Sequence, residues 1–186
     1  MDRGKILRRA VHLSAPLFSL LYFVPEIVPD IDWHLAVVII WGAFFVFDIL
    51  RRRFKWDFPG LRPYEMERMS AAAWFVSALA ILLLFFPFEY ALPVLLGLGV
   101  VDPLNGDLRR AGSNLYPLAP SLLYFAMTLA LLFHFFGMTP VVLLAALAAT
   151  VAAMGAESIR SKVVDDDFLM VIVPAVVLAV VFALAA

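Results

Sequence analysis

The chain has 186 residues, of which 65% are hydrophobic and 16% charged, and its mean hydropathy is +0.98. No water-soluble surface can be assembled from that composition, so the expected solvent is a bilayer. The formal net charge is only −1 and there is no cysteine, which excludes a disulfide framework, a thiolate metal site and the strongly basic footprint of a nucleic-acid binder.

A membrane-crossing helix needs roughly 20 apolar residues, and the apolar runs lack the alternation of a barrel strand. The expected fold is all-α, a single polytopic domain over residues 1–186 with about seven transmembrane helices. The N-terminal run MDRGKILRR and the apolar stretch behind it read as a retained first span, from about Ala10 to Val28, with His12 one turn inside it. Pro25, Glu26, Pro29, Asp30 and Asp32 make an acidic turn region. A second span runs from Trp33 to Leu50 and closes on Asp48 and the basic run Arg51, Arg52, Arg53 and Lys55. A third starts near Tyr64 and ends at FFPFE, and Arg62, Glu65 and Arg68 would share one face if helical there.

The fourth span runs from Tyr90 into LLGLGVVDPLNGDLRRAG, where Asp102 and Pro103 are expected to break the helix. An acid and an interrupted backbone at membrane depth read as a functional site rather than as packing. The fifth span covers Leu118 to Phe136, the sixth Pro140 to about Glu157, and the last Phe168 to Ala186, preceded by Asp165, Asp166 and Asp167. With these seven spans, all 14 Lys and Arg residues fall on one side. The positive-inside tendency then makes the N-terminus cytoplasmic and places the C-terminus outside.

At 1.5 Å per residue, Asp102 and Asp48 come out in the inner part of the membrane, with Glu157 nearer its inner surface. Several spans thus bring carboxylates to one level beside arginines. Such a ring suits a hard divalent cation, Mg2+ or Mn2+, and the phosphates of a nucleotide, and hence phosphoryl or nucleotidyl transfer onto a membrane-dissolved acceptor. No P-loop and no protein-kinase motif set is present. Gly97, Gly99 and the run Ala71, Ala72, Ala73 read as close helix packing, and the Phe-rich runs as lipid-facing filler.

RRAVHL (8–13), FDILRRRF (47–54), LRPYEMERMSAAAWF (61–75), GVVDPLNGDLRRAG (99–112) and ESIRSKVVDDDFLMV (157–171), in this order, resemble the CTP-dependent lipid-alcohol kinases. That group includes dolichol kinase, phytol kinase and the yeast-type diacylglycerol kinase, and is similar in outline to the phosphatidate cytidylyltransferases. The resemblance implies CTP as phosphate donor, a divalent metal, and a polyprenol, dolichol-like or other lipid alcohol as acceptor. Asp102 with Pro103 matches the family's Asp-Pro element, Asp165 to Asp167 its Asp-Asp-Asn segment, and Glu157 the acid before it. Asp167 stands where that family usually has asparagine, and the Lys-Ser-x-Glu-Gly-Ser segment expected after Gly112 is replaced by other residues. The choice between CTP and ATP is thereby left open.

The expected catalytic residues are Asp102, Asp165, Asp166 and His12; Arg9, Arg51, Arg109, Arg110 and Glu65 are expected to bind nucleotide or phosphate, and Asp102, Glu157, Asp166 and Asp167 the metal. The site would face the cytoplasm, in a cell membrane or an endoplasmic-reticulum-like membrane. Expected partners are nucleoside triphosphate, lipid alcohol and membrane lipids, with no nucleic acid and with self-association left open. Alternatives are a CDP-lipid-forming cytidylyltransferase, a non-catalytic member of the family, or a small transporter.

Overall fold

A computed structural model describes residues 3–28, 32–58, 61–159, 161 and 163–186. Arg160 and Lys162 of the basic clusters, and Pro29 and Asp30 of the acidic turn, lie outside these, as do the side chains of Arg3, Lys5, Arg8 and Glu26. The described residues form helices joined by short turns and irregular connections, with no strand among them. Helix α1 (Arg3–Ser14) runs into a 3₁₀ segment (Ala15–Phe23) and the short α2 (Val24–Ile27). Pro16 and Pro25 lie at the starts of these last two segments, where a missing N–H is tolerated.

Asp32 caps α3 (Trp33–Phe54) by accepting the N–H groups of His34 and Leu35. After a 3₁₀ turn (Pro63–Met66) comes α4 (Ala71–Phe85), capped by the Ser70 hydroxyl on the Ala73 N–H. The third helix therefore starts at Ala71 and not near Tyr64, and Arg62, Glu65 and Arg68 do not share a helical face. The serine cap at position 70 sets the boundary.

Helix α5 (Phe88–Leu96), a π turn (Gly97–Val101) and α6 (Asp102–Arg110) follow without a break. The expected interruption at Asp102-Pro103 is instead a widened turn. Pro103 has no N–H for the Gly99 carbonyl and its ring would collide with that carbonyl, and the wider turn relieves the clash while the Asp102 N–H donates to the Gly97 carbonyl. Helices α7 (Leu118–Phe136), α8 (Pro140–Ser158) and α9 (Asp166–Ala185) complete the chain. Among the described residues, five helical stretches are long and apolar enough to cross a membrane: Trp33–Phe54, Phe88–Arg110, Leu118–Phe136, Pro140–Ser158 and Asp166–Ala185. Ala71–Phe85 is apolar but shorter.

The core lies where α8 and α9 pack together with α4, α5 and α7 beside them. Ala145, Ala146, Ala149, Ala153 and Ala156 fall at helical spacing on one stripe of α8 and are buried, so neighbouring backbones approach closely. Leu144, Leu147 and Val151 on the same helix are exposed. Bulk outside and small residues inside is the pattern of a bundle solvated by hydrocarbon.

Gly97 and Gly99 are fixed by close approach. A Cβ on Gly97 would collide with the Tyr124 ring, which is buried, and one on Gly99 would lie 2.8 Å from Pro16 Cδ. The backbone of the π turn can therefore sit directly against the first segment and α7. Gly97→Ala is expected to cost about 1–3 kcal/mol through overpacking, read as a lowered thermal midpoint of the detergent-solubilised protein.

Candidate functional site

Asp102 follows the π turn directly, as the first residue of α6, on the side that meets α1. There His12 Nδ1 lies 3.4 Å from Asp102 Oδ2, and His12 Nε2 lies 3.5 Å from Asp167 Oδ2 in the first turn of α9. Three helices distant in sequence thus converge on one imidazole. One ligand atom from each of the three residues lies within 4.8 Å of the other two, and the same holds for Asp165, Asp166 and Asp167.

Arginines surround this point. Arg9, one turn before His12, pairs with Asp107 at 2.6 Å, and Arg110 holds the other oxygen of that carboxylate at 2.6 Å. Arg109 pairs with Glu157 at 2.8 Å, and the Tyr116 hydroxyl lies 3.4 Å from the second Glu157 oxygen. Arg62 approaches Asp165 at 3.8 Å and is hydrogen-bonded to the Tyr64 hydroxyl. The four arginines and Asp107 line a basin of about 420 Å³, with a second of about 370 Å³ beside it that shares Arg62, Arg109 and Asp166 and is walled by Tyr64 and Trp74.

The charge balance is uneven. Each of the four arginines has a carboxylate partner, whereas Asp102 and Asp167 face one another across His12. Asp165 caps α9 through the Asp167 N–H; burial, then the Asp166 charge, pushes its carboxyl up to about 6 against the pull of that N–H and of Arg62. Crowded carboxylates of this kind are relieved by a cation, and their oxygens are the donors that a hard divalent ion selects. The residues present therefore fit a divalent metal. The His12 nitrogen in one of the two groups is more at home on Mn2+ than on Mg2+.

Of the residues singled out from sequence, Arg9, His12, Asp102, Arg109, Arg110, Asp166 and Asp167 line the larger basin, and Glu157 and Asp165 line the adjoining one. Arg51 and Glu65 lie elsewhere. Arg51 is 2% exposed; its Nη2 donates to Asp48 Oδ1 (3.0 Å) and to the Glu65 and Arg68 carbonyls (2.9 and 3.1 Å). Glu65, 3% exposed, accepts the N–H groups of Arg62 and Ala71. Asp48 also accepts the Ser70 N–H. The set ties α3 to the 61–70 connection and holds Arg62 in place, so Arg51 and Glu65 are positioning residues here rather than lining of the basin.

The sequence reading did not single out Asp107, which bridges two arginines, or Tyr116. The spacing of Asp107 and Arg110, three apart on a helix, was the available signal for the first. Tyr116 carried none. Comparison of the chain with protein-family models, with curated proteins and with solved structures finds no match in any of the three.

Proposed function

We propose that the protein is a seven-span membrane lipid-alcohol kinase, with its N-terminus and its site on the cytoplasmic side and its C-terminus outside. The observation that carries this reading is the meeting of His12, Asp102 and Asp167 in a basin ringed by Arg9, Arg62, Arg109 and Arg110. The seven charged groups paired around the triplet gather at the same end of the bundle, which speaks against a polar path for transport. The seven spans comprise the five long helices, the shorter α4 and the composite segment from Arg3 to Ile27.

In this reading the basin takes the triphosphate of CTP or another nucleoside triphosphate, and the adjoining cavity, walled by Tyr64 and Trp74, takes the nucleoside. Asp102, Asp166 and Asp167 would hold Mg2+ or Mn2+, which when bound supplies positive charge to the phosphate oxygens. His12, held between two carboxylates, accepts the proton of the lipid hydroxyl. The hydroxyl oxygen forms its bond to the γ-phosphorus, the bond from that phosphorus to the β–γ bridging oxygen breaks, and the electron pair leaves with the nucleoside diphosphate. Arg109 and Arg62 neutralise charge on the oxygens in flight.

Purified protein with Mg2+ or Mn2+, CTP or ATP labelled in the γ position, and a panel of lipid alcohols tests the reading. A labelled lipid monophosphate and a nucleoside diphosphate are expected. Release of pyrophosphate from CTP and a lipid phosphate would instead make the protein a cytidylyltransferase. No turnover of any nucleotide across the panel would sink the enzyme reading.

A further inference from the structure

Beside the polar basin lies a second kind of cavity. It occupies about 250 Å³ between α1, α3 and the start of α4, and its walls are mostly hydrocarbon. Phe44, Phe47 and Phe58, each about two-fifths exposed, form its outer lip. Ala71 and Ala72, read from sequence as close packing, face this space, and only Ala73 of that run is buried. His12 and Asp167 line both this groove and the basin, so they are the partition between an apolar slot and a phosphate-sized polar one.

The inner end of the groove is not built for hydrocarbon. Asp48, Glu65 and Asp167 line it with Arg51, and Arg52 pairs with Asp48 from behind, three carboxyl groups against two guanidinium groups. Arg51 Nε and Nη2 are spent on Asp48 and on carbonyls, whereas Nη1 is buried without a hydrogen-bond partner. A buried donor left unpaired costs about 1–3 kcal/mol, so this end awaits an oxygen. The surplus of carboxyl groups disfavours an anion there and favours an uncharged oxygen. The volume of about 250 Å³, just below the usual range of about 300–1,000 Å³ for small-molecule sites, favours one chain as the occupant over two.

We infer that this groove is the acceptor subsite, and that it takes an uncharged lipid alcohol with a single hydrocarbon chain, its hydroxyl lying at the inner end lined by Arg51, His12 and Asp167. The chain lies along Phe44 and Phe47 and leaves the protein past Phe58. The inference deepens the kinase reading and rests on it for the fate of the hydroxyl, but the occupancy of the groove is measurable without nucleotide.

The test uses the full chain in nanodiscs and a sixteen-carbon primary alcohol bearing a diazirine in its tail, photolysed and mapped by mass spectrometry. Labels are expected on 44–47 and 71–75. Ala72→Trp fills the groove from an exposed position, so the fold is retained, and it should cut labelling at least about tenfold. A two-chain phospholipid with the same diazirine should label these segments at less than about a tenth of the alcohol's level. Labelling elsewhere, labelling unchanged by Ala72→Trp, or equal labelling by the phospholipid would overturn the assignment. Groove labelling without phosphoryl transfer would sink the kinase reading alone. Phosphoryl transfer unaffected by Ala72→Trp would sink the groove alone.

Discussion

If the protein is the lipid-alcohol kinase proposed above, Asp102→Asn is expected to lower phosphoryl transfer by about 10²–10⁴-fold while leaving the thermal midpoint of the detergent-solubilised protein close to that of the parent. Asparagine has the same shape, so the π turn ahead of it and Pro103 behind it are undisturbed, and its amide oxygen still faces His12. What is lost is the negative charge that would hold a cation and support an imidazolium on His12, 3.4 Å away. Both readouts are needed. A fall in turnover with an unchanged midpoint identifies the carboxylate as part of the machinery; turnover within a few-fold of the parent removes Asp102 from it.

The largest expected effect on stability is that of Arg51→Met. Methionine fills much of the same volume but abandons Asp48, 3% exposed, and frees the carbonyls of Glu65 and Arg68 that the guanidinium had joined. Removing one member of a buried ion pair costs about 3–5 kcal/mol, because the other is left charged and poorly solvated. Arg52, whose Nε lies 3.2 Å from Asp48 Oδ2, offsets part of this. The thermal midpoint should drop and the 61–70 connection should become cleavable by added protease. The double substitution Asp48→Leu with Arg51→Met should recover part of the loss, since no charge is then stranded. A single substitution with neither effect would mean that the connection is held by Glu65 and Ser70 alone.

The two predictions separate chemistry from scaffolding among charges that look alike on paper. Arg51 and Arg109 both follow an acid on a helix facing the same end of the molecule. One is sealed inside, clamping a loop; the other is 45% exposed on its side chain and reaches across to Glu157. Spacing along the chain could not tell them apart, because which side of each helix is covered depends on what packs against it.

Composition and run lengths alone determined that the chain is helical and suited to a membrane: an apolar surface of this extent has no other stable arrangement, and hydrocarbon demands that backbone groups be paired within each segment. The acids that line the two adjoining basins were also visible, since Asp102, Glu157 and Asp165 to Asp167 are costly in such a setting. Tertiary structure decided the rest. It replaced the expected break at Pro103 with a π turn, because relieving one carbonyl clash takes less than ending a helix inside the bundle. It moved the start of α4 to Ala71, where Ser70 satisfies an end N–H that no periodicity reveals. It brought His12 between Asp102 and Asp167 and sent Arg51 and Glu65 to a different wall, because three-dimensional neighbours are chosen by packing of whole helices and not by distance along the chain.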